Sequence, residues 1–374
     1  MKLMHLADLH IGKVVNRFPM LDDQVYILKQ VLGIMDEEKP DVVMIAGDVY
    51  DRTSPSAEAV AAFDDFLYEL TKRNVKVMMI SGNHDSAERI AYASRILKHS
   101  NVYVSTVYNG IIEPVTLSDE YGEVNFYLLP FVKPAIVRNC FEGAEIANYT
   151  DAIKVAVEHM NVDFKGRNVL VSHQFITNSE LAGSEERSIG GTEDVDVAAV
   201  EQFDYVALGH IHKAQPAGKK HVRYSGALLK YAFDEVNQSK SVTMVEIKDK
   251  GNIDYRQIEL KPKHEMRVIE GTYDEIMDRA AKDEHKDDYV KIILTNESDV
   301  LDAIKRVRTA YPNVMQLSYN NTRTNSEEKV KRNERIEKMK PIDIIDKLFE
   351  EQNGKKMSDE QKDFAKFCIK EIWG

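Results

Sequence analysis

Five short polar clusters, each at the end of an apolar run, constrain this chain more than any other feature. Asp8-Leu9-His10 follows Lys2–Leu6, and Gly47-Asp48-Val49-Tyr50-Asp51-Arg52 follows Asp41–Ala46. Gly82-Asn83-His84-Asp85 follows Val75–Ile80, Ser172-His173 follows Asn168–Val171, and Gly209-His210-Ile211-His212 follows Tyr205–Leu208. The runs, with a further one at Val124–Leu129, are rich in Val, Ile, Leu and Met and alternate little, as strands buried on both faces do. Helical patterns near Asp22–Glu38, Ser56–Arg73 and Ser86–His99 separate the early runs, and Pro55 and Ser56 are start signals for the second. Such a chain is expected to form a layered α/β domain, sheets inside and helices outside. The clusters then gather at the carboxyl edge of the strands, where open α/β sheets bind ligands.

The residue types in the clusters point to metal ions. Asp8, His10, Asp48, Asn83, His173, His210 and His212 offer carboxylates, imidazoles and one amide oxygen. A mixed nitrogen and oxygen set suits Mn²⁺, Fe²⁺ or Zn²⁺ better than Ca²⁺, and the lack of thiolates argues against a structural zinc site. Seven such groups are too many for one ion; they suit two, roughly 3.5–4 Å apart and bridged by one carboxylate. In Asp8-x-His10 and His210-x-His212, side chains two apart would leave the same side of an extended segment. Gly47, Gly82 and Gly209 open three of the clusters, where the chain must leave a strand with no Cβ in the way. His5, His99, His159, His221, His264 and His285 lie outside this pattern and read as ordinary core or surface residues. Arg52 could touch a phosphate but reads first as a solvated surface residue.

The rest of the chain is organised differently. Val222–Ser225, Ser241–Ile247 and Ile253–Leu260, with a turn at Lys250-Gly251-Asn252, look like a hairpin-rich β region. From about Pro262 a β-α-β-α-β string follows: Met266–Glu270, Tyr273–Ala281, Tyr289–Leu294, Val300–Ala310 and Val314–Tyr319. The expected division is a layered α/β domain over 1–262, a small α/β domain over 263–320, a linker over 321–340 and C-terminal helices over 341–374. The linker lacks apolar periodicity and carries seven Lys/Arg against four Glu from Asn320 to Lys340, so it reads as solvated. Beyond it, Pro341 opens a helix with Ile342, Ile344, Ile345, Leu348 and Phe349, broken at Asn353-Gly354. Ser358 and Gln361 form a capping box for a last helix bearing Phe364, Phe367, Ile372 and Trp373. Two helices can hardly bury so many apolar groups by themselves, so they pack on the body or meet a partner.

No run reaches the roughly 18 apolar residues of a membrane helix, and Asp8 with two histidines interrupts the N-terminus before any signal-like core, so a cytoplasmic location without membrane contact is expected. Cys140 and Cys368 sit in no metal-type spacing and read as small apolar fillers. The net charge of -12 weighs against a broad nucleic-acid-binding surface, but a site with several carboxylates looks acidic when its metals are left out of the count.

The ordered series Asp-x-His, Gly-Asp-x-x-Asp, Gly-Asn-His-Asp, His and Gly-His-x-His, spread over Asp8–His212, resembles that of the calcineurin-like metallophosphoesterase superfamily. The stretches His5-Leu-Ala-Asp-Leu-His10-Ile-Gly and Ala46-Gly-Asp-Val-Tyr-Asp51 look like those of bacterial nucleases that trim DNA double-strand breaks together with an ATPase. The resemblance implies a layered metallophosphoesterase fold with a capping domain. It implies one ion on Asp8, His10, Asp48 and His212, and a second on Asp48, Asn83, His173 and His210, with Asp48 as bridge and Mn²⁺ as the expected metal. It implies that His84 is the catalytic histidine, protonating the leaving oxygen or stabilising charge on the phosphate. Asp51 stands where archaeal and eukaryotic relatives have histidine; in the superfamily's phosphatases an Asp there pairs with the catalytic histidine, so Asp51 is expected to fix His84 and raise its pKa. The implied activity is double-strand exonuclease and single-strand or hairpin endonuclease cleavage of DNA in repair and recombination. The implied partners are DNA, an ATPase that docks on the C-terminal helices, and a second copy of the chain, with Ser56–Arg73 and Ser86–His99 as the suggested dimer surface. A small-molecule phosphodiesterase or nucleotide phosphatase with the same metal core is the alternative.

Overall fold

The structure is a computed structural model and describes residues 1–177, 179, 194–321, 342, 345–346, 349–350 and 356–373. Its body is two six-stranded sheets packed face to face. The first runs β14 (Ile253–Glu259), β13 (Ser241–Ile247), β1 (Lys2–Leu6), β4 (Val42–Ala46), β5 (Lys76–Ile80) and β6 (Val102–Val104). The second runs β11 (Gln215–Ala217), β12 (Lys219–Tyr224), β10 (Tyr205–Gly209), β9 (Arg167–His173), β8 (Gly122–Leu129) and β7 (Val115–Asp119). Strands β1, β4, β5 and β6 are parallel, as are β12, β10, β9 and β8, and antiparallel strands close the other edges. A short hairpin of β2 (Val14–Val15) and β3 (Phe18–Pro19) follows β1.

The period-two geometry of a strand sorts each apolar run into two cores. In β4, Val42, Met44 and Ala46 face the other sheet, whereas Val43 and Ile45 face helices α1 (Leu21–Glu38) and α2 (Ala57–Lys72). In β10, Tyr205 and Ala207 face the first sheet, while Val206 and Leu208 join the layer of α5 (Pro134–Cys140) and α6 (Tyr149–Glu158). The outcome is a helix–sheet–sheet–helix sandwich, the layered α/β arrangement expected. Ser56 caps α2, its hydroxyl accepting from Ala59 N at 3.2 Å.

Three expectations need correcting. The segment Ser86–His99 is not one helix: Ala93 has φ 58°, which separates α3 (Ala87–Ile90) from α4 (Ser94–Leu97). Within those two pieces only Ile90 is fully buried, so little tertiary packing holds a continuous helix together. The helix expected over Val300–Ala310 shrinks to α8 (Ala303–Val307), preceded by the left-handed Asp302. The strands after Val222 form no region of their own. β12 extends the second sheet, and the β13–β14 hairpin, turning at Gly251 (φ 77°), extends the first.

The small unit after Pro262, the expected capping domain, is an all-parallel sheet of β15 (Met266–Gly271), β16 (Tyr289–Leu294) and β17 (Val314–Tyr319) with α7 (Tyr273–Ala280) and α8. Met266, Tyr289 and Met315 pack into the apolar cluster of α1 and α2, and buried Asp23 of α1 accepts from the Tyr289 hydroxyl (2.9 Å) and lies 3.0 Å from His264 Nδ1. The expected linker from 322 and the helix opening at Pro341 lie outside the described residues, apart from isolated positions. The last helix, α9 (Asp359–Trp373), starts at the expected box: Ser358 N donates to Gln361 Oε1 (2.9 Å) and Gln361 N to Ser358 Oγ (3.3 Å). Among the described residues no helix is long and apolar enough to cross a membrane.

Candidate metal centre

All five clusters meet at one edge of the sandwich. β1, β4 and β5 bring Asp8, His10, Asp48, Asn83 and His84; β9 and β10 bring His173, His210 and His212 across from the second sheet. Ligand-type atoms of Asp8, His10 and His212 lie within 4.8 Å of one another, as do those of His10, Asp48 and His84, and those of Asp8, Asp48 and His173. Asp48 Oδ2 stands between the halves, 3.3 Å from His173 Nε2 and 3.7 Å from His10 Nε2. Asn83 Oδ1 joins His173 Nε2 (3.0 Å) to His210 Nδ1 (3.1 Å).

These side chains converge for a reason different from strand alternation. β1 ends at Leu6, and Asp8 (φ 53°), His10 (φ 45°), Asp48 (φ 49°) and His210 (φ 103°) all hold positive φ. Non-glycine residues reach that region at a cost of about 1–3 kcal/mol each and keep it where the surroundings demand it, often at ligand sites. Gly47 turns the chain after β4 at φ 85°. Gly209 serves close approach instead: a Cβ there would stand 2.0 Å from Ala46 O and 2.6 Å from His173 Nδ1. The two sheets thus touch through backbone just beneath the site.

The electrostatics favour a cation. Burial drives His10 well below the ordinary imidazole range, against the pull of Asp48, and takes His210 down to about 3. Burial also lowers His212, opposed by Glu235. These rings stay neutral and keep a lone pair for a metal. For Asp48, burial raises the carboxyl, but His173 and His10 outweigh it and hold it well below the carboxylate range. His173 goes the other way, to about 9: burial lowers it and Asp48 more than compensates. His10 Nε2 and His212 Nε2 face each other at 3.1 Å, ring nitrogens of two neutral bases at a distance a shared cation would justify. Positive φ at four donor-bearing positions, neutral imidazoles and two buried carboxylates fit a dinuclear site of divalent ions with nitrogen and oxygen ligands.

Half-buried His84 lies at the rim, its ring 4.9 Å from that of His10, and its backbone N–H donates to Asp48 Oδ1 (2.9 Å). Asp51 does not hold it as expected. The Asp51 carboxylate turns to Lys13, 2.6 Å from Nζ, and lies 3.7 Å from His10 Nδ1. The group next to His84 Nδ1 is the Asp51 carbonyl, at 3.2 Å. Residue type alone could not reveal this choice, because it depends on where Lys13 stands. Arg52 is solvated, its side chain 74% exposed.

Other residues hold the loops and carry no sequence signal of it. Asp85 accepts from the N–H groups of Gly82, Val49 and Tyr50 at 2.9–3.1 Å, tying two clusters together; burial, aided by Asp48, pushes it up to about 6. Gln24 of α1 donates to the carbonyls of Leu9 and His10 and to the Tyr231 hydroxyl, and accepts from Gly12 N. The Tyr231 hydroxyl in turn donates to Leu9 O at 2.9 Å. His5, read as an ordinary core residue, is fully buried between the Tyr205 hydroxyl and Leu208 O.

Comparison with known proteins agrees with this site. Residues 1–214 match the calcineurin-like phosphoesterase family, and residues 262–353 match a family described as type 5 capsule protein repressor C-terminal domain. The chain is 36% identical over 322 residues to the SbcD component of nuclease SbcCD from Staphylococcus epidermidis, covering 85% of each. A dimetal phosphatase from Danio rerio overlays 70% of this chain and 98% of its own at TM-score 0.41 and 10% identity, too slight a likeness to carry an argument. On the family match over 1–214 and the identity shared with that nuclease, the chain belongs to the calcineurin-like phosphoesterase family and, within it, to the SbcD group.

Proposed function

We propose that the chain is a metal-dependent DNA nuclease, acting as the SbcD component of an SbcCD-type complex in break processing, repair and recombination. One observation carries this reading: seven metal-ligand side chains meet at one edge beside half-buried His84, in a chain 36% identical to a nuclease. Asp8, His10, Asp48 and His212 would hold one ion, and Asp48, Asn83, His173 and His210 the other; Mn²⁺ suits this donor set. Bound ions supply Lewis acidity, making a water nucleophilic at neutral pH and offsetting charge on the phosphate.

The chain's own groups do the rest. Asp48 spans the two halves through Oδ2 and fixes the His84 backbone through Oδ1. The Asp51 carbonyl can only accept, so His84 Nδ1 carries a hydrogen; Nε2 is the ring atom left free, and when it too is protonated the imidazolium can pass that proton to the leaving oxygen and return to the neutral ring. Lys13 keeps the Asp51 loop in place through its ion pair. Asp85, Gln24 and Tyr231 restrain the neighbouring loops, so the donors are arranged before substrate arrives.

The partners follow from the same reading. Val60 (44% exposed) and Tyr68 (62%) on α2, with Tyr92 (80%) and Ile96 (72%) in and beside α4, are exposed apolar side chains on the two segments suggested for contact with a second copy of the chain, and they support that reading. Phe364, 69% exposed on α9, supports docking of an SbcC-type ATPase there. A cytoplasmic location suits such a complex.

The deciding experiment supplies the purified chain with Mn²⁺ and compares release of nucleotides from linear duplex DNA with hydrolysis of cyclic nucleotides. Release from DNA is expected. Turnover of cyclic nucleotides with inert DNA would overturn the reading in favour of a small-molecule phosphodiesterase.

A further inference from the structure

We propose that Glu235 and Lys240 are a buried positioning pair that sets the ring of His212 for its metal ion; the inference rests on the dinuclear reading above. Glu235 ends the short turn Phe233–Glu235 and is wholly buried. Its Oε1 lies 3.9 Å from His212 Nδ1, and its Oε2 forms an ion pair with Lys240 Nζ at 2.5 Å. Lys240, 6% exposed, also donates to the carbonyl of His212 at 2.8 Å. The pair therefore meets His212 twice, with a carboxylate facing its ring nitrogen and a hydrogen bond on its backbone carbonyl.

The far side of the same ring shows why this matters. His212 Nε2 faces His10 Nε2 at 3.1 Å, within the group that Asp8 completes. The imidazole is bracketed, one nitrogen toward the metal donors and the other toward a carboxylate. A neutral imidazole has one N–H, and a carboxylate at Nδ1 draws the hydrogen there and leaves the Nε2 lone pair for a cation. Two other rings of the centre meet main chain, His173 Nδ1 at 2.8 Å from Ala46 O and His84 Nδ1 at 3.2 Å from Asp51 O, and His10 Nδ1 lies 3.7 Å from the Asp51 carboxylate that Lys13 pairs with. At His212 the facing carboxylate is wholly buried, and its lysine partner also binds the main chain of the same histidine.

Stability alone does not account for it. A buried ion pair is often no better than two apolar side chains of the same size, because both charges lose their water. Its place against a ligand is the feature that distinguishes it. Partners of this kind, when removed, typically cost about 10–100-fold in metal affinity.

The test is calorimetric titration of the metal-stripped full chain with Mn²⁺. The wild type takes two ions. Glu235→Gln is expected to weaken one of them about 10–100-fold and spare the other. Because Glu235→Gln leaves Lys240 facing a neutral group, the double variant Glu235→Met with Lys240→Met is titrated beside it. Its apolar pair restores folding, seen in the melting temperature under chelator, yet the same single ion stays weak. Wild-type affinity for both ions in the two variants overturns the inference, and so does equal weakening of both ions, which marks a general disturbance. A wild-type chain that takes up no Mn²⁺ overturns the metal reading itself, a result distinct from either.

Discussion

The carboxyl edge of the body and the capping unit are both made of parallel strands and helices, but they treat their strand ends in opposite ways. In the body, strands run into left-handed donor residues, Asp8, His10, Asp48 and His210, and into buried carboxylates set against imidazoles. In the cap, β15 passes into α7 through Thr272 and Glu275, a reciprocal capping box that satisfies the helix start locally. The one left-handed non-glycine residue among the described residues of the cap, Asp302, is exposed and of a type that tolerates that conformation. The body accepts strain where cations would be held, and the cap spends its local interactions on its own stability. Chemistry and scaffold are thereby divided between the two.

The sharpest way to break this comparison is Asp48→Asn. A single oxygen of Asp48, Oδ2, lies 3.3 Å from His173 Nε2 and 3.7 Å from His10 Nε2, so its loss is expected to disturb both ions and cut kcat/KM by several kcal/mol, ~10⁴-fold or more. Hydrogen exchange on adding Mn²⁺ reads the contrast directly. In the wild type, protection should rise at 8–12, 47–52, 82–86 and 209–213 and not in β15, β16 or β17; Asp48→Asn should abolish the rise. Normal Mn²⁺ stoichiometry in this variant would remove Asp48 from its bridging place.

His84→Gln separates binding from chemistry within the edge. Turnover on DNA is expected to fall by about 10²–10⁴-fold with both ions still bound. Full activity would mean that the ring at the rim only fills space.

How much of this was legible in the sequence follows from the range of each interaction. The donors were visible because Asp, Asn and His at the ends of apolar runs are chemically conspicuous, and the short, continuous apolar runs themselves located the strands that carry them. The direction of a side chain was not visible: Asp51 has the expected residue type, yet its carboxylate turns to Lys13 and leaves its carbonyl to His84. Gln24 and Tyr231 are 207 positions apart, and nothing local in either marks a shared task. Glu235 sits in Phe233-Asp234-Glu235, outside the five clusters, and its contacts with His212 and Lys240 are made only by the fold. The break at Ala93 escaped because helical spacing reports apolar positions and not whether anything packs on them.

The buried polar chemistry of the body should also show in its response to acid. Burial takes His5 down to about 3, against the raising contact with Leu208 O and with a lesser push from Arg223. In the unfolded chain it titrates near 6.5. A depressed folded pKa means the contribution is whole above 6.5 and is lost as pH falls from there toward 3, because the unfolded state takes up the proton first. At pH 5 the loss is about 2 kcal/mol. Urea unfolding in chelator at pH 7.5 and pH 5 should therefore show a drop about 2 kcal/mol larger in the wild type than in His5→Gln. Equal drops would place the acid sensitivity elsewhere.

The smallest expected effect lies in the cap and tests the other side of the comparison. Thr272 Oγ1 accepts from Glu275 N, and the Glu275 carboxylate accepts from Thr272 N at 2.8 Å. Thr272→Ala removes one half of this box and should cost about 1 kcal/mol, within the usual range for a cap. The cost should fall on α7 and its neighbours alone, because the cap has its own apolar cluster of Ile269, Ile276, Val290, Ile292 and Val314. Hydrogen exchange should quicken in α7 while Mn²⁺ affinity and DNA hydrolysis stay at wild-type values. The cap does touch the body, through Met266, Tyr289 and Asp23 of α1, and Gln24, the next residue of that helix, holds the loop of His10. A fall in Mn²⁺ affinity in Thr272→Ala would therefore mean that this helix passes strain from one region to the other, and that scaffold and chemistry are coupled rather than divided.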